Sequence, residues 1–508
     1  MASLNRTLIN SPQLPERVLQ FGTGVLLRGL PDFLIDKANK QGLFNGSIVV
    51  VKSTNGATDE FAEQDGLYTV VTRGIQKGQS IDETTVVSAI SRVISAQDDW
   101  RAVLKVAQNP NLQVIISNTT EVGIQYVAES IFQSPPQSYP AKLTAFLYER
   151  FKNFGGSRNK GLVVIPTELL VDNGMKLRDI VEKLAKHNEL GKLFMKWLKY
   201  HVRFCNSLVD RIVPGKPDAE TQQELAQKLG YEDKLLIVAE PYRLWAIEGD
   251  DRVKNILSFA TADEGVIIDE DINFYRERKL RVLNGGHTIS VPLAYLLGLE
   301  TVREMMDHPL MGRFVEEVIT QEIVPTVPAW MIPEENPQAV SEFATDVLDR
   351  FRNPTLVHLL LSITLQETSK MRARNLPTIQ RYMEQTQQSP QRMALGFAAY
   401  LLFMKVVRIE GDTYLGETSA AGGIITYPIR DDYAEYFYKL WQQVDVHDPA
   451  SIRTFVHTVC SDTTLWETDL SQLAGDTTPS FPDAVADHLT NLVTLGVEAT
   501  LERQLVTV

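Results

Sequence analysis

Arg17-Val18-Leu19-Gln20-Phe21 runs directly into Gly22-Thr23-Gly24-Val25-Leu26-Leu27-Arg28-Gly29, and the rest of the N-terminal half follows from that junction. The first five residues read as a short buried strand. The run after the glycines places Leu30, Phe33, Leu34 and Ile35 on one face of a helix. Strand, glycine turn and helix make up the first βα unit of a dinucleotide-binding fold. Gly22 permits the tight turn. Gly24 lets a pyrophosphate approach the amides at the helix N-terminus, where the dipole favours negative charge. On this reading Phe21, Gly22, Thr23, Gly24 and Val25 border the cofactor, and Arg28 is placed to meet one of its phosphates. Leu27 stands where the third glycine of the fingerprint would fall. A second buried strand, Ile48-Val49-Val50-Val51, arrives after about 30 residues, the length of a βαβ unit. It ends in Lys52-Ser53 instead of a ribose-binding acid, and a lysine there tolerates a 2′-phosphate by charge, which leaves NADP open.

Further β-rich runs at 68–72, 84–88, 114–117, 162–165 and 235–238 alternate with helical stretches, so residues 17–271 read as α/β with a mainly parallel sheet. The 68–72 and 84–88 strands read as an inserted hairpin. Ser117-Asn118-Thr119-Thr120-Glu121 closes the apolar Val114-Ile115-Ile116 run, at the strand end where ligand crevices open. Asn118 and Thr119 there are either ribose or nicotinamide contacts or a polar turn with Asn118 as helix cap, and Glu121 either joins them or begins a helix. After Ile272 the pattern turns helical. Leu356, Leu359, Leu360 and Ile363 fall at i, i+3, i+4 and i+7 behind Asn353-Pro354, which predicts a helix over 356–363. The expected organisation is a Rossmann-like domain at 1–275 that binds cofactor, and a predominantly α-helical domain at 276–508 that caps it and binds substrate.

The helical half opens with Lys279-Leu280-Arg281-Val282-Leu283-Asn284-Gly285-Gly286-His287. On a helix Asn284 and His287 share a face, and the long stem of Lys279 can swing toward them. An amine, an amide and an imidazole at one point suit a carbonyl that gains or loses a proton. Gly285 and Gly286 would let a flat ring approach the backbone. The plainer reading is an amphipathic helix with a surface lysine and a Gly-Gly bend.

Taken together, the shortened glycine turn and Lys279, Asn284 and His287 resemble the long-chain mannitol dehydrogenase family of polyol and sugar-acid oxidoreductases. Gln64-Asp65-Gly66-Leu67-Tyr68-Thr69, Tyr139-Pro140-Ala141-Lys142-Leu143-Thr144, Asn206-Ser207-Leu208-Val209-Asp210-Arg211-Ile212-Val213, Arg350-Phe351-Arg352-Asn353-Pro354 and Ser369-Lys370 with Arg374 extend the likeness along most of the chain. The resemblance implies metal-independent hydride transfer between NAD and a secondary carbinol carbon. It implies proton exchange by Lys279, an oxyanion contact from Asn284 and an orienting donor in His287. The family's polyol dehydrogenases carry a further asparagine in the segment matching Pro166-Thr167-Glu168-Leu169. Here Glu168 either leaves the oxyanion site one donor short or takes a role on a sugar acid. A sugar-acid carboxylate needs a local cation, since 64 acids against 50 bases give a net charge of −14. Lys370 and Arg374, four apart on one helix side, are the candidates, and a solvated basic face is the alternative.

The remaining features narrow the class. Hydrophobic content of 44% with 22% charged residues is ordinary for a water-soluble globular protein. The acidic balance argues against nucleic acid as a partner. Nothing before Pro12 resembles a signal peptide, and the longest apolar stretch, 394–407, is too short for about 30 Å of hydrocarbon and reads as a core helix. Cys205 and Cys460 lie far apart, consistent with a reducing cytoplasm. The eight histidines show no ligand spacing, so no metal is expected. Rival readings are a relative acting on a neutral hexitol or another hexuronate, and a dinucleotide-binding sensor without turnover. The stretches at 421–423 and 475–482 read as surface loops.

Overall fold

Glu16–Phe21 (β1), Ser47–Lys52 (β2), Ile90–Ser95 (β3), Val114–Ser117 (β4), Val163–Pro166 (β5) and Arg203–Phe204 (β6) form one six-stranded sheet in the order β3-β2-β1-β4-β5-β6. The computed structural model describes every residue except 55–57, 120, 335, 421–422, 474–478 and 508. All neighbouring pairs in this sheet are parallel, with Leu19 opposite Val49 on one side and Ile115 on the other. Parallel strands need helical crossovers and are covered on both faces. Side chains therefore alternate between two cores. Leu19, Phe21, Val49 and Ile115 enter one, and Val18, Val50, Val114 and Ile116 enter the other. That double burial is why the strand sequences are continuous apolar runs. The strand order reverses between β1 and β4, so a crevice opens beyond the carboxyl ends of those two strands.

The structure adds strands that the sequence pattern does not announce. β3 is interrupted in hydrophobicity by Ser91 and Arg92, and Ser207–Asp210, Leu244–Glu248 and Val266–Asp269 build a separate three-stranded sheet. The inserted hairpin is present as Tyr68–Gln76 and Gln79–Val87, extended by Ile237–Ala239. Its turn residues Lys77 and Gly78 take φ of 52° and 72°, the left-handed pair a two-residue hairpin demands.

Contacts group the chain into two units, Met1–Gly74 with Ser80–Ile272, and Ile75–Gln79 with Asn273–Val508. The first unit also holds the helix that follows the glycine turn: Val25–Leu27, a π-helical Arg28–Asp32 and Phe33–Lys40 run on without a break (α1). The second is helix-rich. Asn273–Arg278, Lys279–Gly285 and Gly286–Leu296 form one rod (α2), followed by Ala339–Phe351 (α3), by Glu367–Lys370, Met371–Asn375 and Leu376–Thr386 as another rod (α4), and by Gln391–Phe403 (α5).

The second unit is predominantly helical as expected, with one three-stranded antiparallel sheet, Arg408–Glu410, Thr413–Ala420 and Gly423–Ile429, added among the helices. One expectation is corrected. The helix expected over 356–363 is only Leu360–Ile363. Asn353 Oδ1 accepts from the Thr355 amide at 3.0 Å and turns the chain after α3, and Leu359 bridges to Thr301, so the apolar spacing does not become a helix. Of the two expected surface loops, 421–422 and 475–478 lie outside the described residues, Gly423 already belongs to a strand, and Phe481 and Pro482 are buried at the start of the helix Phe481–Leu495. α5 is buried along most of its length, and no helix among the described residues is long and apolar enough to cross a membrane.

Candidate active site

At the strand switch the chain leaves β1 through Gly22, whose φ is +126°. A Cβ there would lie 2.9 Å from Leu27 Cδ1 and 3.0 Å from the Asn118 carbonyl oxygen. Gly24 is the reverse case: it is exposed, nothing comes within 4 Å of an added Cβ, and no side chain caps the N-terminus of α1. An uncapped helix start behind open space, with Thr23 and Val25 half-buried beside it, fits a dinucleotide pyrophosphate. Gly22→Ala should therefore destabilise the turn by about 1–3 kcal/mol through forced left-handed backbone alone. It should weaken NADH binding at least tenfold, read by nucleotide fluorescence titration.

Neighbouring groups brace this turn instead of lining it. Phe21 is fully buried with its ring 5.1 Å from Tyr139, so only its main chain borders the crevice. Arg28 does not face a phosphate. Its Nη1 donates to the Leu235 carbonyl at 2.6 Å, its guanidinium lies over the rings of Phe61 and Tyr68, and the residue is 9% exposed. Glu168 is likewise withdrawn from any substrate. It is 3% exposed and accepts from the Thr119 amide at 2.9 Å, the Thr119 hydroxyl at 3.0 Å and the Ser117 hydroxyl at 3.2 Å. Burial raises its pKa, and its oxygens are spent on the loop after β4. Asn118 donates to the Thr167 carbonyl and hydroxyl, at 3.1 and 3.0 Å, which fixes the second wall of the crevice. Glu121 opens a single 3₁₀ turn, Glu121–Gly123, and its side chain lies outside the described residues.

The other group of candidate residues, in the second unit, sits on α2. Residues Lys279–Gly285 are π-helical, and this changes the geometry of the motif. In an α-helix of 3.6 residues per turn, residues five apart point about 140° away from each other. The i→i+5 closure of a π segment stacks them. Lys279 and Asn284 are therefore neighbours along one side, and His287 follows three residues later. All three are half-buried. Gly285 and Gly286 admit neighbouring helices, not a ligand ring, and the helix continues through them. A Cβ on Gly285 would meet Asn375 Nδ2 at 3.4 Å, and one on Gly286 would meet Ile319 at 3.0 Å.

A matching π segment, Met371–Asn375, lies in α4, and the two are strapped together. Arg281 Nη1 donates to the carbonyls of Ala373 and Arg374 at 2.8 and 2.7 Å, and Asn375 Nδ2 donates to the Gly285 carbonyl at 3.0 Å. The straps deliver Arg374 to α2, where its Nη1 donates to Thr288 Oγ1 at 3.1 Å, beside His287. The His287 ring lies 4.0 Å from Phe351 and 5.5 Å from His358. Its buried Nδ1 has no hydrogen-bond partner. Burial first, then the positive field of His358, Arg350, Arg374 and Lys370, holds this imidazole neutral, well below its ordinary pKa. Among the described residues neither Lys370 nor Arg374 forms an ion pair, although Lys370 Nζ donates to the Ile363 carbonyl at 2.5 Å. Arg350, His358, Arg281 and Asn375 escape sequence reasoning: nothing local assigns them a role, although Arg350 lies inside one of the family-like segments and Arg281 inside the Lys279–His287 stretch.

The chain belongs to the mannitol dehydrogenase family, since residues 16–260 match its Rossmann domain and residues 271–474 its C-terminal domain. Altronate oxidoreductase of Bacillus subtilis (strain 168) is 38% identical to it, covering 99% of this chain and 98% of the relative. Altronate oxidoreductase of Halalkalibacterium halodurans is 39% identical over 98% of this chain and 94% of its own. Two solved structures share the fold. D-sorbitol dehydrogenase in substrate-free form superposes with a TM-score of 0.76 at 20% identity, over 99% of this chain and 100% of that one. Pseudomonas fluorescens mannitol 2-dehydrogenase, in a ternary complex with NAD and D-mannitol, gives 0.65 at 23% identity over 99% of both.

Proposed function

We propose that this chain is an NAD-dependent oxidoreductase that interconverts D-altronate and D-tagaturonate. The observation that carries the reading toward a sugar acid is the cluster of Arg350, Lys370 and Arg374 around His287, held neutral with its buried Nδ1 unpartnered, on the same rod as Lys279. The full-length likeness to altronate oxidoreductases supports the same substrate. Residues 1–275 hold the cofactor and residues 276–508 hold and protonate the substrate. Bound nicotinamide supplies the hydride in reduction and accepts it in oxidation.

The chain's own groups do the rest. The amides at the start of α1 bind pyrophosphate, and Asn118 and Thr119 shape the crevice beside it. Lys370 and Arg374 hold the carboxylate, with guanidinium gripping it through two parallel donors. In reduction, the Lys279 ammonium gives a proton to the ketone oxygen while the Asn284 amide steadies the negative charge that develops there. His287, neutral and unable to compete as a cation, donates one hydrogen bond that orients the same oxygen. Oxidation reverses the proton, so Lys279 must first be a free amine. Cytoplasmic work suits the two buried free thiols, Cys205 and Cys460.

Consumption of NADH and NADPH, each with tagaturonate, fructuronate and fructose, tests this. NADH with tagaturonate should be the fastest pair. Preference for fructuronate or fructose overturns the substrate, preference for NADPH overturns the cofactor, and tight NADH binding with none of the three ketones reduced turns the chain into a sensor.

A further inference from the structure

Behind the cationic cluster, Glu367 is the first residue of α4 and is completely buried, and neither of its carboxyl oxygens has a hydrogen-bond partner. A carboxylate left so would be costly, because burial without donors removes its solvation and returns nothing. Lys370 and Arg374 face it from its own helix. Asp431 faces it from the turn before the helix Ala434–Trp441, and the Tyr400 hydroxyl approaches from α5, where it is shared with Thr368 at 2.7 Å. On α2, His287 feels the same two cations. Asp431 itself is engaged, its Oδ2 accepting from the Thr368 amide at 2.8 Å, and offers Glu367 no proton.

We propose that Glu367 is a positioning residue that sets how strongly Lys370 and Arg374 attract the substrate's carboxylate, by keeping or releasing its own proton. Kept, the proton leaves two half-buried cations without a counter-charge, and the substrate's anion supplies it. Released, the proton leaves a carboxylate three and seven residues from those cations, and it competes with the substrate for them. Burial, reinforced by Asp431 and opposed by Lys370 and Arg374, pushes the Glu367 carboxyl up to about 8. The competition therefore begins just above neutrality. This inference rests on the sugar-acid reading given above.

Linkage makes it measurable on wild-type protein. If the protonated form binds the sugar acid better, binding near pH 8 must draw a proton from solution, and KM should climb by up to about tenfold per pH unit above the ionisation. The experiment is calorimetric titration of D-altronate into protein carrying NADH, a pair that cannot react, at pH 8 in two buffers of different ionisation heat. Uptake of a sizeable fraction of a proton is expected for the wild type and none for Glu367→Gln, whose KM for tagaturonate should also stay level with pH. Uptake that persists unchanged in Glu367→Gln overturns the assignment. Should that variant not fold, a wild-type KM flat from pH 7 to 9.5, or binding without proton uptake, overturns it equally. Absence of altronate binding at pH 7 is a different result and removes the sugar-acid reading itself, and this inference with it.

Discussion

Lys279→Ala is expected to lose activity in both directions by about 10²–10⁴-fold, the span that a positioned acid or base contributes. The loss should fall on kcat as much as on kcat/KM, because the proton is shared only on the way to the transition state. NADH binding, which the proposal assigns to the glycine turn and the strand switch, should stay within about twofold by fluorescence titration, well under the 1.4 kcal/mol that a tenfold change represents. That split separates a chemical lysine from one that merely holds α2 in shape. A structural role would lower stability and blunt nucleotide binding without preserving it so selectively.

Arg374→Met should raise the KM for tagaturonate by about 10–200-fold, the equivalent of removing a hydrogen bond to a charged group worth about 1.5–3 kcal/mol. Methionine keeps much of the unbranched volume that packs over Thr288, so kcat should change little. Whatever residual rate the enzyme has on an uncharged ketose should be indifferent to the substitution, since no carboxylate is there to be held. Steady-state kinetics with the charged and uncharged ketones side by side give both numbers. Equal losses on both substrates would place Arg374 in the scaffold of the helix pair, alongside Arg281 and Asn375, instead of on the substrate.

Much of this was legible in the chain because it is local. The run from β1 through Gly22 to α1 is a contiguous pattern of burial, glycine and amphipathic spacing, and Lys279, Asn284 and His287 lie within nine residues of one helix. The π register was not legible, since the same residues fit an α-helix and only the packed straps from Arg281 and Asn375 reveal the altered ladder. Sequence position also misdirects where a side chain must choose a side. Arg28 sits at the glycine turn yet bends away to Leu235, more than two hundred residues on, under cover of the Phe61 and Tyr68 rings. Glu168 follows a strand end, where ligands gather, but Ser117 at the end of the adjacent strand and Thr119 on the loop after it claim its oxygens first. His358 is solitary in the sequence and meets His287 only through the fold. Such contacts are long-range, and no spacing rule encodes them.

The most direct test of Lys279 as the proton-exchanging group is the pH dependence of altronate oxidation in a single turnover with altronate saturating at every pH, followed by NADH absorbance, for the wild type and for Lys279→Ala. The wild-type rate should rise with pH through one ionisation to a plateau, because the neutral amine is the form that accepts the proton, and the residual rate of the variant should lack that inflection. A variant that turns over at near wild-type rate, or that keeps the same inflection, contradicts proton exchange by Lys279.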